Sequence, residues 1–163
     1  MKIAQPALFD APPLAPYRYT LHRCWGPGPS CCWVMLNPST ATEETDDATI
    51  RRCIRFSITW GYGRLVVVNL FALRSTNPAA LANHADPIGE GNDQAIIVAA
   101  RQAGTVVCAW GAHPSAVSRA RTVVSLLRGV DLHCLGTTKH GQPRHPLYVK
   151  GSTALATFGV AAP

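Results

Sequence analysis

The chain has 163 residues, 47% of them apolar, which is enough for one domain with a proper core and too few for two. Lys plus Arg number 15 against 9 Asp plus Glu, a net charge of +6, and the whole surplus lies late: residues 1–100 hold eight bases and eight acids, residues 101–163 seven bases and one acid, Asp131. A one-sided basic stretch favours a polyanionic partner, because phosphate neutralisation with counterion release drives non-specific nucleic-acid binding, although it also serves plain solubility.

Residues 1–16 are Pro- and Ala-rich and read as a flexible lead-in to a single α/β domain over 17–163. Met1 to Pro6 lacks the apolar core of a signal peptide, and no run approaches the ~20 apolar residues of a membrane span, so a cytoplasmic protein is expected. Tyr17 to Cys24 alternates as a strand, and Gly26-Pro27-Gly28-Pro29 turns it into a strand over Cys32 to Leu36, predicting an antiparallel hairpin at a sheet edge. Asp46 or Asp47 caps a helix in which Ile50, Cys53, Ile54 and Ile58 form one stripe while Arg51, Arg52 and Arg55 face elsewhere.

Trp60-Gly61-Tyr62-Gly63 breaks that helix before a strand over Leu65 to Val68, and Arg74 to Glu90 reads as a long polar loop. Asn92 caps a helix through Ile96, Ile97 and Ala100, ended by Gly104 ahead of a strand over Val106 to Ala109. Ser115 opens a third helix carrying Val117, Ala120, Val123, Val124 and Leu127, with Arg119, Arg121 and Arg128 mostly outward; Gly129 closes it before a strand over Leu132 to Leu135. The alternation predicts a three-layer α/β/α fold: a central, mainly parallel four-stranded sheet, helices on both faces, and the N-terminal edge hairpin strand.

In an open sheet of this kind ligands bind beyond the carboxyl ends of the strands, and each apolar run here ends in a polar or glycine-bearing signature. Asn37-Pro38 follows the second strand, where proline stops pairing; the amide holds a water or a sugar, or it simply shapes the turn. Asn69 follows three valines although Asn is poor in strands, so its amide reads a heterocycle edge or ties loops together. Trp110-Gly111 reads as packing and a turn.

Gly136 to Tyr148 is basic and punctuated by Gly and Pro, and its His145, near Lys139 and Arg144, is placed to meet a phosphate or a developing anion. Asp46 and Asp47 are the carboxylates near the Asn37 loop, fit for a general base or for capping. His84 and His113 show no metal-like spacing and receive no role. Six cysteines without secretion signals read as reduced thiols: Cys31 and Cys32 are adjacent, and Cys53, Cys108 and Cys134 fall on apolar positions, so no metal and no cofactor are expected. Walker, G-x-S-x-G and G-x-G-x-x-G signatures do not occur.

Two resemblances follow from these residues. Met35-Leu36-Asn37-Pro38-Ser39-Thr40, Thr49-Ile50-Arg51-Arg52-Cys53, Trp60-Gly61-Tyr62-Gly63, Val68-Asn69-Leu70-Phe71, Gly91-Asn92-Asp93, Ala109-Trp110-Gly111 and Pro143-Arg144-His145-Pro146-Leu147-Tyr148 resemble the bacterial domain-of-unknown-function family numbered 1643. The order Asn37-Pro38, Asn69, Trp110-Gly111, His145-Pro146 is also similar to that of the uracil-DNA glycosylase superfamily, with Ser39-Thr40 and Leu147-Tyr148 departing from its best-known branch.

The second resemblance implies a glycosylase-like hydrolase that cleaves the N-glycosidic bond of a base in DNA or in a nucleotide. Asn69 then reads the base edge, with Phe71, Trp60 or Tyr62 as stacking surfaces and Trp110 and Ser39 at the substrate. His145 stabilises the departing base, Asn37 positions water, Asp47 serves as base, and Arg51, Lys139 and Arg144 meet phosphates. The alternatives are a non-catalytic nucleotide- or nucleic-acid-binding module and an enzyme acting on small nucleotides.

Overall fold

A computed structural model describes residues 15–159, so the lead-in lies outside the described residues except for Ala15 and Pro16. The chain is mixed α/β: strands β1 (Leu21–Cys24), β2 (Ser30–Met35), β3 (Arg64–Asn69), β4 (Thr105–Cys108), β5 (Leu132–Cys134) and β6 (Ala156–Thr157), with helices α1 (Ala48–Thr59), α2 (Asn92–Gln102) and α3 (Ala116–Leu126). The strands form one six-stranded mixed sheet in the order β1-β3-β2-β4-β5-β6. β3, β2, β4 and β5 run parallel, and β1 and β6 are antiparallel to their neighbours β3 and β5.

The expected N-terminal hairpin does not form. β1 pairs with β3, Leu21 opposite Val67 and Cys24 opposite Arg64, and β2 lies on the far side of β3. The Gly26–Pro29 link crosses the start of β3 instead of zipping two strands: Trp25 N and Gly26 N both donate to Gly63 O, at 3.0 and 3.1 Å, and Gly63 N donates to Pro29 O at 3.2 Å. Two prolines without N–H groups suit a crossing and not a ladder. Glycine is required at 63, where a Cβ would stand 2.2 Å from Pro27 O.

Alternation along the buried strands sorts the core into two clusters. Cys32, Val34, Val66, Val68, Val106 and Cys108 pack with Ile96 and Ala99 of α2 and Ala120 and Val123 of α3. Cys31, Trp33, Met35, Leu65, Val67 and Val107 pack with Ile50, Cys53 and Phe56 of α1. Asp47 caps α1, its carboxylate accepting from Ile50 N at 2.9 Å. All six thiols are free, five of them buried and Cys24 exposed.

The polar stretch after β3 is an ordered loop with a 3-10 turn, Pro78–Asn83, that buries Leu81 in the core. Ala72 N and Leu73 N donate to Ile88 O and Pro87 O, holding its return against the chain just beyond β3. Among the described residues no helix is long and apolar enough to cross a membrane.

Candidate functional site

Because β3, β2, β4 and β5 are parallel, their carboxyl ends share one edge of the sheet. The ladder continues past them: Leu70 N donates to Met35 O (2.9 Å), Phe71 N to Leu36 O (3.0 Å) and Ala109 N to Val34 O (2.9 Å). At this edge opens a cavity of about 300 Å³, lined among others by Asn37, Ser39, Asp47, Asn69, Trp110 and His145. That volume sits at the small end of the ~300–1,000 Å³ usual for ligand pockets.

The amide of Asn37 is committed on one side, Nδ2 donating to Pro38 O at 3.0 Å and to Ser75 O at 2.8 Å. Its donors are thereby used, and the acceptor Oδ1 is what it has left to offer. Asn69 is 1% exposed, and its Nδ2 is buried without a hydrogen-bond acceptor among the described residues. A buried amide donor left unmade is costly, so Asn69 Nδ2 is an unmet donor at the cavity wall.

His145 caps the 3-10 turn Pro146–Tyr148, Nδ1 accepting from Leu147 N at 3.2 Å. An accepting Nδ1 places the proton of the neutral ring on Nε2. Burial lowers the His145 pKa below the ordinary histidine value, and the nearby Asp47 opposes that shift in part. The ring is thus a neutral N–H donor near pH 7. Gly111 takes φ +78°, a conformation that L side chains rarely adopt, and a Cβ there would meet His145 Cβ at an ordinary contact distance of 3.5 Å. Trp110 Nε1 donates to Gln142 Oε1 at 2.9 Å and the ring meets Phe158 edge-on, so it fixes the loop beyond β4 while walling the cavity.

Of the two carboxylates, Asp47 lines the cavity while capping α1, and Asp46 is drawn away into an ion pair with Arg23 at 2.8 Å. Phe71, Trp60 and Tyr62 do not line the cavity. Phe71 is buried in the cluster beneath α2 and α3. Trp60 stacks on Trp33 and Phe56 with centroids 5.7 and 5.3 Å apart, and Tyr62 Oη bonds Thr105 Oγ1 at the start of β4. A parallel crossover returns its helix to the amino ends of the strands, so both lie at the opposite sheet edge. Arg51, Lys139 and Arg144 are exposed and off the cavity; Arg51 donates to Asp46 O and Arg144 to Thr137 O.

Four features escape the sequence reading. Arg18 and His113 line the same cavity, beside Tyr148 at the end of the expected basic segment, which is 81% exposed with its ring 5.5 Å from that of His145. Arg52 reaches from α1 to Pro146 O (3.2 Å) and Val149 O (2.6 Å), anchoring the His145 turn. Asn92 is not the cap of α2, which is Gly91; its Nδ2 donates to Asn69 O at 3.0 Å and Leu70 O at 3.1 Å. Arg119 is not outward but 7% exposed, donating to Leu70 O at 2.8 Å and pairing with Asp93. Asn92 and Arg119 together hold the turn that carries Asn69.

No curated protein and no solved structure matches the chain. The family described as Protein of unknown function (DUF1643) matches residues 18–147, and that span takes in Asn37, Asp47, Asn69, Trp110 and His145. The chain therefore belongs to the DUF1643 family.

Proposed function

We propose that the protein is a glycosylase-like hydrolase that cleaves the N-glycosidic bond of a base in a nucleotide or in DNA. The observation that carries this reading is that Asn37, Asp47, Asn69 and His145 all line one cavity at the carboxyl ends of parallel strands. Their order along the chain, and a three-layer reading of the fold, agree with the resemblance to the uracil-DNA glycosylase superfamily. Asn69 Nδ2 donates to an acceptor on the edge of the bound base, and the exposed ring of Tyr148 is the stacking surface at the cavity mouth.

As the bond from C1′ to the base nitrogen breaks, its electron pair leaves with the base. His145, neutral and protonated on Nε2, donates to the oxygen on which charge develops. Water held by Asn37 Oδ1 adds to C1′, and its proton passes to the carboxylate oxygen of Asp47 that the α1 cap does not use. Asp46 takes no part, being paired with Arg23. Release of free base by the wild type, and not by an Asn37→Ala, His145→Ala double variant that still folds, tests this reading.

One observation favours a second reading, a nucleotide- or nucleic-acid-binding module without turnover: residue 37 is an amide and not a carboxylate, and its donors serve the fold. Saturable binding without base release selects it.

A further inference from the structure

Arg18 lines this cavity with Arg74 behind it, and among the described residues neither guanidinium is in an ion pair. Tyr17 bridges Leu73 in an antiparallel pairing, with Arg18 N donating to Ala72 O at 2.9 Å and Arg74 N to Pro16 O at 2.8 Å. Alternation turns Tyr17 and Leu73 toward the core and places Arg18 and Arg74, diagonal neighbours, on the other face. Arg18 is 7% exposed and lines the cavity. Its Nη1 donates to Ala41 O at 2.5 Å, and Arg74 Nη1 approaches the same oxygen at 3.3 Å.

Beyond that shared carbonyl the two side chains are under-satisfied. Neither Arg18 Nε nor Arg74 Nε meets an acceptor among the described residues. The ion pairs among those residues are Arg23 with Asp46 and Arg119 with Asp93, so neither cation is paired. Burial first, and Arg74 second, bring the Arg18 pKa down to about 10, against the pull of Asp47 and Glu43; the group is still charged at neutral pH. A buried cation is costly unless an anion or a dense set of acceptors answers it. Asn69 adds a further unmet donor at the same cavity, where Asp47 lines the wall without pairing with either arginine.

We propose that Arg18, backed by Arg74, receives a terminal phosphate monoester of the nucleotide whose base meets Asn69. Two guanidinium groups match the nearly two negative charges of a monoester, and their planar forks suit its oxygens. A mid-strand diester carries nucleotides on both sides and cannot enter beside a side chain buried to this degree. The site therefore selects free mononucleotides or strands that end in a phosphate. The inference rests on the base-binding reading of the cavity and names the form of its substrate.

The test is calorimetric binding to the full chain, with nucleoside monophosphates, the matching nucleosides, inorganic phosphate, and short oligonucleotides with and without a terminal phosphate. We expect the phosphate to tighten nucleoside binding at least tenfold, inorganic phosphate to compete, and Arg18→Gln to erase the difference while nucleoside affinity holds. Arg74→Gln, on a half-buried side chain, predicts a smaller loss of the same kind and stands in should Arg18→Gln fail to fold. A preference for the phosphorylated oligonucleotide over the mononucleotide identifies a strand end as the source; the reverse identifies the free nucleotide. Equal binding of nucleoside and monophosphate, a phosphate preference that survives Arg18→Gln, or no binding of any phosphate overturns the proposal. Phosphate-dependent binding without base release removes the glycosylase reading alone; base release indifferent to phosphate removes this inference alone.

Discussion

Asn69 ends β3 opposite Met35, the last residue of β2, Asn37 lies just beyond that strand, and their amides have opposite fates. Asn37 Nδ2 donates to both Pro38 O and Ser75 O, whereas Asn69 Nδ2 meets no acceptor among the described residues. One amide holds loops together and the other has an unmet donor at the cavity.

That contrast predicts different stabilities on substitution. Asn69→Ala removes a donor with no bond to lose and is expected to change folding stability by no more than about 1 kcal/mol while abolishing base selectivity. Asn37→Asp sets a carboxylate oxygen against two carbonyl oxygens, and Asn92→Ala strips Asn69 O and Leu70 O of their donor; each is expected to cost about 1–3 kcal/mol. Urea midpoints rank the three variants, and Asn69→Ala as the most destabilised contradicts the assignment.

His145 supplies a pH prediction with a definite sign. Its pKa is lowered in the folded chain from an ordinary 6.5, so as pH falls below about 6.5 the unfolded chain takes up the proton first. Folding stability therefore declines from pH 6.5 down through the lowered value, and this contribution is flat above about pH 6.5. Base release, if it needs the neutral ring, rises with pH over the same window. An imidazole titration by NMR that gives an apparent pKa above 6.5 refutes the burial argument.

Arg52 links α1 to the His145 turn, so Arg52→Met, which keeps aliphatic bulk over Phe56, removes the two hydrogen bonds together with the cation–π contact to Phe56. The expected loss is about 1–3 kcal/mol of stability, together with a shifted His145 resonance. An unmoved resonance means that the turn is held by other contacts.

The exposed bases Lys139 and Arg144 lie off the cavity, and any contribution from them is to polymer affinity. Replacing both by Ala is expected to reduce the slope of log K against log salt for DNA by about 2, with mononucleotide affinity unchanged. A parallel fall in mononucleotide binding places them in the site after all.

Much of the architecture was legible in the sequence because buried strands and helix stripes follow simple periods. The strands β2 to β5, the Asp47 cap and the Gly129 stop all lie where apolar runs and capping chemistry put them. β1 stands at the sheet edge as expected, but its partner was misassigned because Pro27 and Pro29 resemble a turn, and only the tertiary crossing over Gly63 distinguishes the two. β6 is two exposed residues long, too short to carry a period.

The site divides along similar lines. Residues at or just beyond the ends of parallel strands converge by topology, which is why Asn37, Asn69 and Trp110 share a cavity, and His145 joins them through the loop after β5, whose turn Arg52 anchors. Trp60 and Tyr62 failed to join them because a crossover helix ends at the other edge, a rule that the alternation already contained. Arg119 was also within reach: it falls with Ala116, Ala120 and Val123 on the buried stripe of α3, and a charge there implies a partner. Arg18 gave no such signal, since its burial arises from a single bridge between Tyr17 and Leu73, distant in sequence.

The most direct test of hydrolysis at this cavity is incubation of the purified chain in heavy-oxygen water with nucleotides and oligonucleotides bearing uracil, deaminated purines and modified pyrimidines, followed by mass spectrometry. The account predicts free base and a heavy oxygen on C1′ of the sugar, both absent for the Asn37→Ala, His145→Ala variant. Unlabelled, intact substrate from the wild type, despite saturable binding, would contradict it.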